Sequence, residues 1–101
     1  VYTCDDIQKI VVNDDFEKLT KILERPSEEI KQCQKLPNAM IGLFRGYSER
    51  EIPRDKVFSI FSILRKKNIM TPEFNDRVMS LEDFSYLNLP DDILYELRKQ
   101  Y

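Results

Sequence analysis

The adjacent carboxylates Asp5-Asp6, Asp14-Asp15, Glu28-Glu29 and Asp91-Asp92 come nearest to chemistry in this chain. Paired acids can share a proton for acid–base work or hold a divalent cation through oxygen. Each pair, however, falls in the first turn of an expected helix, where negative charge favours the helix dipole. No further ligand at site-forming spacing accompanies them, so capping accounts for them. The chain holds no His, which removes the usual general base, the usual neutral metal ligand and every His-dependent triad. A glycine-rich phosphate loop is also missing. The expectation is a protein that is not an enzyme and carries no cofactor or metal.

Cys4 and Cys33 are the only cysteines. They lie far apart in sequence and in no metal-type spacing, so they are expected to be small, partly buried apolar side chains in a reducing cytoplasmic setting, not a disulfide. The cations Arg45, Arg50, Arg54, Lys56, Arg65, Lys66 and Lys67 form the single basic run. Arg65, Lys66 and Lys67 end a helix, where cations are locally stabilised, and the neighbouring apolar residues follow core periodicity instead of exposed stacking positions. This pattern favours a solvated helix end or a protein-facing patch over nucleic acid. The net charge is −2, and no apolar run is long enough to cross a bilayer, so neither nucleic acid nor membrane is expected as a partner.

Charge is unevenly spread. Residues 1–35 carry 8 acids and 6 bases, residues 36–70 carry 3 acids and 7 bases, and residues 71–101 carry 7 acids and 3 bases. A basic middle between acidic ends can offer surfaces of opposite sign, which favours pairing with copies or relatives of the same domain. The bland counterpart is a mixed, solvated surface that serves solubility.

The elements that must position these residues are helical. Gly occurs twice, and the five Pro mostly mark helix starts, which points to an all-α bundle of six or seven helices. With 101 residues the chain suits one domain with one core, and a start at Val1 instead of Met suits a domain excised from a larger protein. A first helix follows Thr3, with Ile7, Ile10 and Val11 inward. Asp14 with Glu17 reads as a capping box for a second helix, whose stripe is Phe16, Leu19, Ile22 and Leu23. Ser27 starts a short third helix with Ile30 and Cys33 inward, ending near Leu36-Pro37. From Asn38 a fourth helix places Met40, Leu43, Phe44 and Tyr47 at i, i+3, i+4 and i+7. Gly42 and Gly46 lie four apart on another face, where they admit a close neighbour or mark fraying. Pro53 to Asn68 reads as the central helix that the rest wraps, with Val57, Ile60, Phe61 and Leu64 as its stripe and Phe58 and Ile63 widening it. Phe74 and Val78 face inward on a shorter helix. Ser80 with Asp83 resembles a capping box leading into Leu81, Phe84 and Leu87, and Pro90 opens a last helix with Ile93, Leu94, Leu97 and Tyr101 as its apolar face.

Asp15-Phe16-Glu17-Lys18-Leu19-Thr20-Lys21-Ile22-Leu23, Ser27-Glu28-Glu29-Ile30, Met40-Ile41-Gly42-Leu43-Phe44 and Lys56 through Lys67, taken in order, resemble the death-domain superfamily. Phe16 stands where that family commonly has Trp. The resemblance covers residues 5–78 as a death-fold-like core and leaves 79–101 as a C-terminal helical extension. It implies a non-enzymatic adaptor of cytoplasmic apoptotic or innate-immune signalling that assembles with related domains, homo-oligomers included, through charged patches. Carried onto this chain, the basic residues 45–67 would meet Asp14, Asp15, Glu28 and Glu29 of a neighbour. Separately, Leu89-Pro90-Asp91-Asp92-Ile93-Leu94 is similar to the opening of an F-box, which would make residues 89–101 a ubiquitin-ligase adaptor segment. A helical regulatory domain excised from a larger protein is the remaining alternative.

Overall fold

Short side-chain caps fix where the helices begin. In the computed structural model, which describes residues 2–99, Asp15 Oδ1 accepts from the Lys18 N–H at 3.2 Å, Ser27 Oγ from Ile30 N–H at 3.3 Å, and Thr71 Oγ1 from Phe74 N–H at 3.1 Å. Each satisfies one of the donors that a helix start leaves without an internal partner. The resulting order is α1 (Cys4–Asn13), α2 (Phe16–Glu24), α3 (Glu28–Lys31), α4 (Leu36–Ser48), α5 (Arg54–Lys66), α6 (Pro72–Ser80), a 3₁₀ turn (Glu82–Tyr86) and α7 (Asp91–Arg98). No strand occurs among the described residues, so the all-α expectation holds.

Two expected caps are placed differently. Asp15, not Asp14, caps α2; Asp14 instead closes α1 in the left-handed region, φ 55°. An Asp tolerates that conformation better than most residues, and spending it there leaves its neighbour to cap. Ser80 does not cap a following helix either. Its hydroxyl donates to the Arg77 carbonyl at 3.0 Å, and the segment after it is a 3₁₀ turn in which Leu81, Phe84 and Leu87 are only half-buried. The fourth helix starts two residues before the expected Asn38, because Pro37 lies in its first turn, where a missing N–H costs nothing.

One apolar cluster runs through all seven α-helices, from Ile7 and Ile10 in α1 to Ile93 and Leu97 in α7. Leu89 also joins it, so the expected extension shares the core of residues 5–78. Tyr101, expected on the inward face of the last helix, lies outside the described residues. The hub is α4 and not, as the periodicity suggested, α5. Leu36, Pro37, Ala39, Met40, Ile41, Leu43, Phe44 and Gly46 of α4 are buried, and it packs on α1, α5 and α6. On α5 the stripe Val57, Ile60, Phe61 and Leu64 is buried, but Phe58 and Ile63 are only half-covered, and Ser59 and Ser62 face solvent. The two helices meet at Phe44 and Phe61, whose ring centroids are 5.8 Å apart and tilted by 54°. Phe58 adds an edge-on contact to Phe61 at 5.6 Å. Elsewhere α2 lies on α1 and α5, and α6 carries the 3₁₀ turn and α7.

The cysteine expectation is overturned. Cys4 and Cys33 form a disulfide with Cα atoms 5.5 Å apart, linking the first residue of α1 to the segment just after α3. Sequence spacing could not show this, because the bond depends on α3 folding back onto α1. The same corner is tied by Glu29, whose Oε2 accepts from the Cys4 N–H at 2.6 Å.

Candidate functional site

The C-terminal half of α4 gathers several adjoining grooves together with charged side chains. Arg45, exposed on that half, borders three adjoining grooves. The first runs past Val11, Ile41 and Gly42 to Leu81 and Glu82. A second, between the α1–α2 turn and the α4–α5 turn, has Phe16, Gly42, Gly46 and Ile52 as its floor and Asp14, Glu49 and Glu51 at its rim. The third leads to Tyr86, Leu87 and Asn88 of the 3₁₀ segment. A fourth groove shares Ser48 and Asn88 with the third and continues past Arg50 and Arg54 to Pro90. Together they form a concave belt around the end of α4.

Local sequence explains the belt. Gly42 and Gly46 remove side chains from one face of α4, so neighbouring segments come close. A Cβ on Gly46 would stand 2.5 Å from Ile52 Cδ1, and one on Gly42 would stand 3.3 Å from Asp14 Oδ1. The close-neighbour reading of these glycines is therefore the right one. Arg50, at φ 64°, turns the chain out of α4, and Gly46 O accepts from the N–H groups of Glu51 and Ile52. Leu81 opens the 3₁₀ turn, which leaves Tyr86 80% exposed.

The expected basic run is divided. Arg45, Arg50 and Arg54 reach the belt, whereas Arg65 lines a separate hollow with Met70, Thr71 and Pro72, and Lys66 and Lys67 stand at the far end of α5. Much of the charge is matched within the chain. Arg45 pairs with Asp83 at 3.7 Å, Lys56 with Glu17 at 3.8 Å, and Arg65 with Glu96. Arg54 Nε donates to Asp92 Oδ2 at 2.8 Å while its guanidinium lies 4.2 Å from the Phe58 ring centroid. That contact with Arg54 holds the Asp92 carboxyl below its ordinary value. Arg54 is thus a clamp between α5 and α7.

The expected acids are dispersed too. Asp14 borders the second groove and Asp15 caps α2. Glu28 pairs with Lys31 at 3.7 Å, and Glu29 holds the Cys4 N–H. Among the described residues no group of His, Cys, Asp or Glu is placed to hold a metal ion. Within the F-box-like segment Leu89 and Ile93 are buried and Leu94 is half-buried, so docking through it requires α7 to leave the core. No helix of the described residues is long and apolar enough to cross a membrane.

Sequence reasoning did not single out Tyr86, the most exposed of the large apolar side chains among the described residues. Its signal was available as an aromatic in the acidic segment Glu82-Asp83-Phe84-Ser85-Tyr86, which the structure makes a 3₁₀ turn instead of an amphipathic helix. Set against family models, curated proteins and solved structures, the chain matches none.

Proposed function

We propose that this chain is a non-enzymatic protein-interaction domain that docks a partner on the belt around the end of α4. The observation that carries the reading is Arg45, which borders three adjoining grooves, one of them shared with the exposed Tyr86. Arg and Tyr are the side-chain types that most often dominate binding energy when an interface closes over them. The mixture of apolar floor and charged rim also suits a protein surface more than a small molecule.

The narrower form of the proposal is a death-fold-like adaptor that joins related domains in apoptotic or innate-immune complexes. The sequence pattern of Phe16, Leu19, Ile30 and Leu43 supports it, together with an all-helical core that buries three of those four. A cytoplasmic setting belongs to that narrower form, and the Cys4–Cys33 bond weighs against it.

Affinity capture with the wild-type domain and with an Arg45→Glu/Tyr86→Ala variant tests the broader proposal. The variant is expected to keep its helical circular dichroism and to lose captured partners at least tenfold. Equal capture by both proteins overturns the belt as the docking surface. Reversal of Arg54 is a poor substitute, because it breaks the clamp to α7.

A further inference from the structure

We propose that the Cys4–Cys33 bond is a permanent staple and that the domain therefore meets its partners in an oxidising compartment, such as the secretory lumen or the cell exterior. Both cysteines of the chain are consumed by the bond, and no free thiol remains. Their Cα separation of 5.5 Å is one that a disulfide spans without moving the backbone. The bond secures the shortest α-helix among the described residues, since α3 has four residues and contributes only Ile30 to the core. A helix that short does not hold itself in water.

The surroundings oppose reduction from both sides. Cys33 is 5% exposed within the apolar cluster, so an attacking thiolate reaches its sulfur only after local opening. Cys4 is less covered, but attack there must expel Cys33 as a thiolate into the apolar cluster, which disfavours the charge, and attack at Cys33 must expel Cys4 beside negative charge. Asp5 and Asp6 follow Cys4 in the first turn of α1, and the Glu29 carboxylate accepts from the Cys4 N–H at 2.6 Å. Those carboxylates offset the thiolate-stabilising pull of the helix N-terminus and make Cys4 a poor leaving group.

Formation of the staple balances as thiol–disulfide exchange. One Cys thiolate attacks an oxidised partner disulfide, the second Cys thiolate then displaces the partner from the mixed disulfide, and the partner leaves as its dithiol with the two electrons. The two thiol protons pass to solvent or to the released partner thiolates.

The inference concerns where the domain works and is independent of the belt at Arg45. The oxidised full chain is equilibrated with glutathione at roughly hundredfold excess of the reduced form, quenched by acid, alkylated and weighed. Most molecules are expected to retain the intramolecular bond, and reduced chain moved into an oxidising glutathione mixture is expected to regain it. A majority of free or glutathionylated cysteines in the reducing mixture overturns the inference. A Glu29→Gln variant is expected to be reduced severalfold faster than the wild type; an equal rate overturns the role given to that carboxylate. Loss of the staple with partner capture intact would remove this inference and leave the proposed function standing.

Discussion

The two glycines of α4 have opposite prospects, although the sequence presents them as equivalent. At Gly46 an added methyl would meet Ile52 Cδ1 at 2.5 Å and Cγ1 at 2.9 Å, and Ile52 is pinned because its N–H donates to Gly46 O. At Gly42 the nearest atom is a carboxylate oxygen of the exposed Asp14, which can swing aside. Gly42→Ala is therefore expected to stabilise the domain by up to about 1 kcal/mol through helix propensity. Gly46→Ala should destabilise it by about 1–3 kcal/mol through overpacking. Urea midpoints of the two variants decide the matter, and a shift of the same sign in both would contradict this account. Asn75 is a residue that no sequence pattern exposed: it sits between Phe74 and Val78 on α6, 1% exposed, with neither amide atom hydrogen-bonded among the described residues. Replacement by the similar-sized Leu removes that desolvation cost and is expected to raise stability by about 1 kcal/mol.

Among the elements, α7 depends most on electrostatics. It has eight residues, buries Ile93 and Leu97, and is pinned to α5 by Arg54–Asp92 and by Arg65–Glu96. Exposed pairs contribute little, but the Arg65 and Glu96 side chains are only 31% and 15% exposed. Removing one partner there leaves a partly desolvated charge, so Glu96→Ala is expected to cost roughly 1–2 kcal/mol, less than a fully buried pair would. The Asp92 contact has its own signature in acid. Its folded pKa lies below the ordinary 3.8, so its contribution is complete above that value and is lost as pH falls through the folded value. Amide exchange across residues 91–98 is expected to accelerate below about pH 3.8 in the wild type and to lose that step in Asp92→Asn. Periodicity and a Pro-Asp-Asp start made α7 legible as a helix. Its attachment was not legible, because Arg54 and Asp92 are 38 positions apart and their pairing follows from how α7 lies against α5.

For the molecule as a whole, the apolar stripes of α2 and α5 were largely readable from spacing, since Leu19, Ile22, Leu23, Val57, Ile60, Phe61 and Leu64 are all buried as expected, whereas Phe16 of the α2 stripe is only half-buried. The hub was misread because α4 owes part of its burial to Ala39, Pro37 and Gly46, small residues that carry no hydrophobic signature. The belt around α4 was half legible: the basic run supplied Arg45 and Arg50, but concavity arises only when the 3₁₀ turn and the α4–α5 turn close on the helix. The disulfide was illegible for the same reason. Its chain-entropy contribution for a separation of 29 residues is about 3–4 kcal/mol, a large share of the roughly 5–15 kcal/mol typical of a domain. A Cys4→Ala/Cys33→Ala variant is accordingly expected to lose that amount in urea unfolding.

The same bond also changes how the domain bears tension. A pull on its N-terminal end enters at Cys4 and passes directly to Cys33, so α1, α2 and α3 lie outside the force path. The segment between the cysteines spans 29 positions and would hold back about 100 Å of contour length at roughly 3.5 Å per residue. In a single-molecule stretching experiment the oxidised domain should extend short by that length and release it as one step when reductant is added under load.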